Sequence, residues 1–279
     1  MFRKELINIY KENGFDLYEA SSEVDLAIEM IAGLNPKEML LGACISDENK
    51  EKISNIVKER VKTRRPIQQL LGQAFFMGEK FAVNEYTLIP RPETEILVLE
   101  TLKLIKDDAD FKILDIGSGS GCIPVMIAKN TESARIESVD ICSKALETAR
   151  LNSESFSVQS RVDFYLSDLF EKVTGKFNII VSNPPYIPIS EKDCLQSEVR
   201  DFEPSNALFA SDEKGIDIYK KIIEKSKDYI ILGGHILFEL GINQSDLVKD
   251  IFIKNEFSEI KIIKDLDGID RVIIARYGV

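Results

Sequence analysis

The chain has 279 residues, 44% of them hydrophobic and 30% charged, with a formal net charge of −11. That length and balance suit two domains of ordinary size with a soluble surface, and the acidic excess argues against broad affinity for a phosphate backbone. No apolar run approaches the roughly 20 residues of a membrane helix, and the start MFRKELINIYKENG lacks the apolar segment of a signal peptide, so a cytoplasmic monomer without membrane contact or direct nucleic-acid binding is expected.

Residues 1–73 read as helices. Apolar positions recur at intervals of three and four in ELINIYKENGF, EVDLAIEMIAGL and NKEKISNIVKERV. Asn35-Pro36 and Ser46-Asp47 supply turn or cap signals between them. Residues 74–90 change character: FFMGEKFAVNEYTLIP sets aromatic and β-branched residues around Gly78, the pattern of a β-hairpin linker.

Over residues 91–279 strands and helices alternate. Strands are expected at Lys112–Ile116, Arg135–Asp140, Val162–Ser167, Phe177–Ser182, His235–Leu240, Glu259–Lys264 and Arg271–Arg276. Helical patterns between them are TEILVLETLKLIK, CIPVMIAKN, SKALETARLN, IDIYKKIIEKSKDYI and QSDLVKDIFIKN. Such alternation indicates right-handed βαβ units in a parallel sheet. The link DLDGID between the last two strands is too short for a parallel crossover, so the final strand is expected to run antiparallel.

Cys44, Cys122, Cys142 and Cys194 lie far apart without metal-like spacing and read as reduced thiols. His235, the only histidine, sits in the strand-like GGHILFEL with no second histidine for a metal and no serine pattern for a triad. It reads as structural, and no metal is expected.

The first strand of the alternating region runs directly into KILDIGSGSGCIPVMIA. Gly117, Gly119 and Gly121 permit a tight turn and close ligand approach, and the helix that follows aims its N-terminus at the same place. Ser118 and Ser120 complete this candidate cofactor cradle. Asp140 ends the next strand 19 residues after Gly121, where a carboxylate can accept both hydroxyls of a ribose. Ser143 is the better candidate for capping the following helix. The stretch VSNPPYIP raises a separate question, because proline cannot donate to a sheet ladder and must end the strand FNIIV. At a carboxyl strand end, Asn183, Pro184, Pro185 and Tyr186 would face the crevice where such sheets bind ligands. The Asn183 carboxamide oxygen and the Pro184 carbonyl can accept the two N–H bonds of a planar nitrogen, and Tyr186 can lie against a flat amide or base. That assigns catalysis to Asn183, Pro184 and Tyr186.

The spacing GxGxG, with Asp115 two residues ahead, departs from the dinucleotide fingerprint GxGxxG. It is similar to the first motif of class I S-adenosylmethionine-dependent methyltransferases. The resemblance implies a seven-stranded Rossmann-like α/β sheet whose last strand is antiparallel, here preceded by a small helical bundle. It also implies that Asp168, in YLSDLF, lies beside the adenine with Leu169 as an apolar neighbour. Asn-Pro-Pro-Tyr is shared by methyltransferases of planar nitrogens, including adenine in DNA and glutamine in proteins.

The remaining blocks divide these. TRRPIQQLLGQAFFMGEKFAVNEYTLIPRPETEILV, EVRDFEPSNALFASDEKGIDIYKKII and DLDGIDRVIIARY closely resemble the HemK/PrmC family, the methyltransferases of the release-factor glutamine. The resemblance implies S-adenosylmethionine as cofactor and the Gly-Gly-Gln glutamine of class I peptide chain release factors as methyl acceptor, with the helical domain docking that partner. IPRPETE is shared with ribosomal-protein glutamine methyltransferases, which remain an alternative, as does DNA adenine N6 methylation. Within IPRPETE, Glu93 and Glu95 fall in the first turn of a helix and Arg91 is expected close to the sheet's carboxyl edge.

Overall fold

The computed structural model describes residues 2–106 and 111–278. Met1, residues 107–110 and Val279, which the expected domain bounds take in, lie outside the described residues. By its contacts the chain forms two units, one running to Ala74 and including Gln196–Phe202, the other comprising Phe75–Leu195 and Glu203–Val279.

The helical unit contains α1 (Phe2–Glu12), α2 (Leu17–Ala32), α3 (Pro36–Leu40), α4 (Asp47–Thr63) and α5 (Ile67–Leu71). Three of these helices, α2, α3 and α4, begin where side-chain acceptors meet the orphan N–H groups of a first turn. Asp16 accepts from Tyr18 and Glu19 N–H, Asn35 and Glu38 form a reciprocal capping box, and Ser46 accepts from Asn49 N–H. The three-and-four spacing puts Leu6, Tyr10, Val24, Ile28, Ile53 and Val57 in one buried cluster. A cation sits in the same interior: Arg60 is 2% exposed. Its five N–H donors are all engaged, by Glu23, Glu19, Glu198 and the Arg64 carbonyl. Glu198 belongs to the segment Gln196–Phe202, far along the chain, which this ion cluster and the bond from Gln69 Nε2 to Phe202 O (2.9 Å) hold to the helical unit.

A hairpin of β1 (Gln73–Phe76) and β2 (Glu79–Ala82) turns at Met77-Gly78. After it come α6 (Pro92–Leu104), β3 (Lys112–Ile116), α7 (Cys122–Lys129), β4 (Arg135–Asp140), α8 (Ser143–Ser155), β5 (Val162–Leu166) and β6 (Phe177–Ser182). The chain then makes β7 (Ile187–Pro188), a 3-10 turn, α9 (Ser197–Phe202), α10 (Ser205–Leu208), β8 (Phe209–Ala210) and α11 (Asp217–Ser226). It closes with β9 (Ile230–Glu239), α12 (Ser245–Lys254), β10 (Phe257–Lys264) and β11 (Asp270–Tyr277).

The main sheet has seven strands in the order β10-β11-β9-β6-β3-β4-β5. Strands β9, β6, β3, β4 and β5 pair in parallel, whereas β11 is antiparallel to both its neighbours. The short link to the last strand has the consequence expected of it. Helices cover both faces: Leu97, Ile123, Ile127 and Leu146 pack on one side, and Tyr219, Ile222, Val248 and Phe252 on the other. Burial on both faces explains why β6, after the half-buried Asn178, runs through the consecutive apolar residues Ile179, Ile180 and Val181.

Among the main-sheet strands the largest departure from expectation is β9. The helix ends at Ser226 and β9 begins at Ile230, five residues before His235. Gly233 and Gly234 dilute the strand pattern there, and the residues are recruited by pairing with β6, through Phe177 opposite Ile230 and a bond from Phe177 N–H to Tyr229 O of 2.7 Å. His235 itself lies inside β9 between Ile179 and Arg276. Burial, reinforced by the Arg276 charge, depresses its pKa, so the imidazole is a neutral sheet residue.

Candidate functional site

Strand β3 is paired with β4 on one side and β6 on the other, the point where the strand order reverses, and a crevice is expected at their carboxyl ends. A cavity of about 350 Å³ lies there. The loop after β3 contributes Gly117, Ser118, Gly119 and Ser120, β4 contributes Asp140, the loop after β5 contributes Asp168 and Leu169, and the end of β6 contributes Asn183, Pro184 and Pro185. Gly121 and Tyr186 are not among the lining residues.

The glycine turn is pinned from below. Gly117 and Ser118 N–H both donate to Val139 O, at 2.8 and 3.0 Å, and Gly119 N–H donates to Asp140 Oδ2 at 2.9 Å. The Ser118 and Ser138 hydroxyls lie 2.6 Å apart, and Ser138 in turn donates to Asp115 Oδ2 at 2.6 Å. Complete burial pushes the Asp115 carboxyl up to about 7 against that hydrogen bond. Gly121 has a packing role: at φ +79° a side chain would be strained, and a Cβ would stand 3.0 Å from Ala149 Cα in α8. Asn152, also on α8, donates to Ser120 O at 2.7 Å and exchanges two bonds with the Ala82 backbone, so turn, helix and hairpin are locked together.

Asp140 corrects one expectation. Ser143 is the first residue of α8, Cys142 occupies the cap position without a side-chain bond, and it is Asp140 Oδ1 that accepts Cys142 N–H at 2.8 Å. The Asp140 carboxylate thus ties the glycine turn to the start of α8. Each of its oxygens keeps a second lone pair for a ligand. Burial raises its pKa, opposed by the backbone N–H groups of Gly119 and Cys142. Next along the rim, Leu169 is held at φ +46°, a left-handed conformation rare for a branched residue, with the Ser167 hydroxyl donating to its carbonyl at 3.1 Å.

At the end of β6 the Ser182 hydroxyl donates to Ile116 O at 2.6 Å, joining the two strand ends. Asn183 Nδ2 donates to Thr94 Oγ1 at 3.2 Å, and Thr94 Oγ1 donates to Glu239 Oε2 at 2.6 Å. Because the two polar atoms of a carboxamide diverge, this turns Asn183 Oδ1 away from Thr94. The Tyr186 hydroxyl reaches Glu239 Oε1 at 3.4 Å. Burial raises the Tyr186 phenol, and the Glu239 charge adds to it. Gln244 fixes the backbone here: its Nε2 donates to Tyr186 O and Lys214 O, both at 2.9 Å, while its Oε1 accepts Gly241 N–H at 3.0 Å. Gly215 lies against the same carbonyl, where a Cβ would come within 2.0 Å of Tyr186 O.

Three of these groups were not singled out by sequence reasoning. Thr94 lay unweighed inside IPRPETE, and Glu239 and Gln244 inside FELGINQ; a glutamate closing an otherwise apolar strand was the available signal. Arg91 lines the cavity and pairs with the buried Glu203, whose other oxygen accepts Ile89 N–H at 3.2 Å. Glu93 and Glu95 stand in the first turn of α6, and Glu95 accepts Met77 N–H at 2.7 Å.

Residues 94–199 match the methyltransferase small domain family. A release factor glutamine methyltransferase of Fusobacterium nucleatum subsp. nucleatum is 35% identical over 287 residues, covering 100% of this chain and 80% of its own. That of Geobacter sulfurreducens is 38% identical over 256 residues, covering 91% of this chain and 84% of its own. The chain belongs to the release factor glutamine methyltransferase family. Among solved structures, a methyltransferase from Pyrococcus furiosus superposes with a TM-score of 0.54 at 20% identity, covering 73% of this chain and 91% of that one. It is similar in fold. As a family member the protein is a methyltransferase. Among the described residues no helix is long and apolar enough to cross a membrane, and no cluster of side chains is spaced to hold a metal ion.

Proposed function

We propose that this protein transfers a methyl group from S-adenosylmethionine to the side-chain nitrogen of the glutamine in the Gly-Gly-Gln motif of class I release factors. The observation that carries this reading is the orientation of Asn183, whose NH2 is committed to Thr94 so that its oxygen is left to accept. An amide N–H is what such an acceptor suits. The Asn183 oxygen and the Pro184 carbonyl engage both N–H bonds of the substrate nitrogen, fix its plane and deny it to water; proline keeps the carbonyl's direction at little entropic loss. No strong base is assigned. Positioning by these two acceptors does most of the work, and the proton departs after transfer.

The cavity's residues fit the cofactor. S-adenosylmethionine supplies, when bound, a methyl group already activated on a sulfonium. Asp140 accepts the ribose hydroxyls, Asp168 and Leu169 flank the base together with Ile141, and the turn Gly117–Ser120 walls the cavity beside the start of α7. We assign the helical unit to docking of the protein substrate, in a cytoplasmic, monomeric enzyme. Its exposed Leu17, Tyr18, Leu40 and Leu41 are apolar side chains that a protein surface can cover.

The test is transfer of tritiated methyl groups into purified candidate substrates, followed by peptide mapping. Label confined to the Gly-Gly-Gln glutamine of a release factor is the expected result. Label in a ribosomal protein or in DNA adenine, with none in release factors, would replace the reading with one of those alternatives. Cofactor binding should depend heavily on Asp140. Losing hydrogen bonds to a charged acceptor costs about 1.5–3 kcal/mol, so Asp140→Ala should weaken S-adenosylmethionine roughly 10- to 150-fold by calorimetry. Unchanged affinity in a folded variant would remove the ribose assignment.

A further inference from the structure

Glu239 has no task in the reaction as described, yet it is among the most costly groups in the protein to bury. It ends β9 at 2% exposure. Thr94, from α6, donates to its Oε2 at 2.6 Å, and Tyr186 approaches its Oε1 at 3.4 Å. The other titratable groups around it are Glu93 on α6 and Arg271 on β11, of opposite effect on its charge, with Tyr219 of α11 donating to the Glu239 backbone carbonyl at 2.8 Å and the buried Cys122 thiol of α7.

An ionised carboxylate can only accept hydrogen bonds. Thr94 must therefore aim its single proton at Glu239, which leaves Thr94 Oγ1 able only to accept from its other neighbour. That neighbour is Asn183, and it meets Thr94 with Nδ2 at 3.2 Å. The direction of the chain is thus decided at Glu239 and delivered to the carboxamide. Reversal is equally consistent with hydrogen-bond chemistry. A protonated Glu239 would donate to Thr94 Oγ1, the Thr94 hydroxyl would turn to donate to Asn183 Oδ1, and the flipped carboxamide would offer its NH2 to the substrate. Two N–H groups would then face each other.

We propose that Glu239, acting through Thr94, decides which way round the Asn183 carboxamide stands, and is a positioning residue whose ionised form is the productive one. The inference rests on the glutamine-methylating reading of the cavity. Burial pushes the Glu239 carboxyl up to about 7, opposed by its bond from Thr94 and raised further by Glu93. The sign follows: above that pH the carboxylate holds the productive direction, and below it the proton reverses the chain.

The experiment is single-turnover methylation of a release factor at saturating S-adenosylmethionine, followed across pH values that bracket ~7. Cofactor affinity and circular dichroism serve as folding controls. The wild-type rate should fall as pH drops through this interval. Glu239→Gln keeps the shape and an acceptor for Thr94 but cannot ionise, so its acid limb should vanish. Thr94→Val removes the relay without changing volume and should slow transfer roughly 5- to 150-fold at unchanged cofactor affinity, while Thr94→Ser restores it. An acid limb that persists in Glu239→Gln, or a near-normal rate in folded Thr94→Val, would overturn the positioning role alone. A wild-type enzyme that labels no glutamine would overturn the reading of the cavity and this inference with it.

Discussion

Asn183→Ala is expected to leave the fold and most of the cofactor affinity intact while methyl transfer collapses. The side chain holds no strand together: β6 is anchored by its ladders to β3 and β9 and by the Ser182 hydroxyl on Ile116 O. What the substitution removes is the proposed acceptor for one substrate N–H. Loss of a buried hydrogen bond costs about 1–3 kcal/mol, which slows the reaction roughly 5- to 150-fold. A nitrogen free to shift by about 1 Å adds on the order of another hundredfold. Tyr186→Phe should cost far less, because its hydroxyl makes only the long contact to Glu239 while Gln244 holds the backbone. Single-turnover rates at saturating cofactor decide the matter. Near-normal turnover of folded Asn183→Ala on a release factor would reduce the Asn-Pro-Pro-Tyr stretch to a strand terminator.

The second large effect belongs to the helical unit. Arg60→Ala takes the shared cation from three carboxylates, Glu19, Glu23 and Glu198, of which Glu198 alone keeps a second one, Arg64 at 3.9 Å. It also removes the cation lying 4.7 Å over the Phe15 ring. Breaking a buried ion cluster by deleting one partner costs about 3–5 kcal/mol; because Glu19 and Glu198 are 36% and 20% exposed, the lower figure is expected. Two units in one chain make a single global unfolding energy ill-defined. Amide hydrogen exchange resolves them: amides of α2 and α4 should lose on the order of a hundredfold in protection, while those of β3, β4 and β6 change little. Arg60→Met, which fills the space without charge, should be no better, since Glu19 and Glu23 still lose the cation they share and Glu198 keeps only the more distant Arg64, at 3.9 Å. Unchanged protection in α2 and α4 would mean the cluster is solvated enough to dispense with its cation.

Much of this molecule is written locally. The bounds of β3 and β6 could be read from the chain because each is a mainly apolar run ended by a glycine turn or a proline, and β4 because RIESVD stops at an aspartate before the next helical pattern. Backbone conformation at such positions is set within a few residues by sterics and by loss of a donor. The antiparallel course of β11 followed from a link too short for any crossover. Family membership was legible for the same reason: IPRPETE, the glycine turn and Asn-Pro-Pro-Tyr are contiguous words. The tertiary structure alone decided the partners of the polar groups. Thr94 and Glu239 are 145 residues apart, Arg60 and Glu198 are 138 apart, and Tyr186 and Gln244 are 58 apart. Periodicity records which face of an element is apolar, not which distant side chain will meet a buried hydroxyl or carboxylate. That choice waits on the order of strands in the sheet, which brings the ends of β6 and β9 side by side under the start of α6. The beginning of β9 belongs with them, since Ile230 became strand only by pairing with Phe177. Hydrophobic pattern is a property of neighbours along the chain, whereas hydrogen-bond direction at Asn183 is a property of neighbours in space.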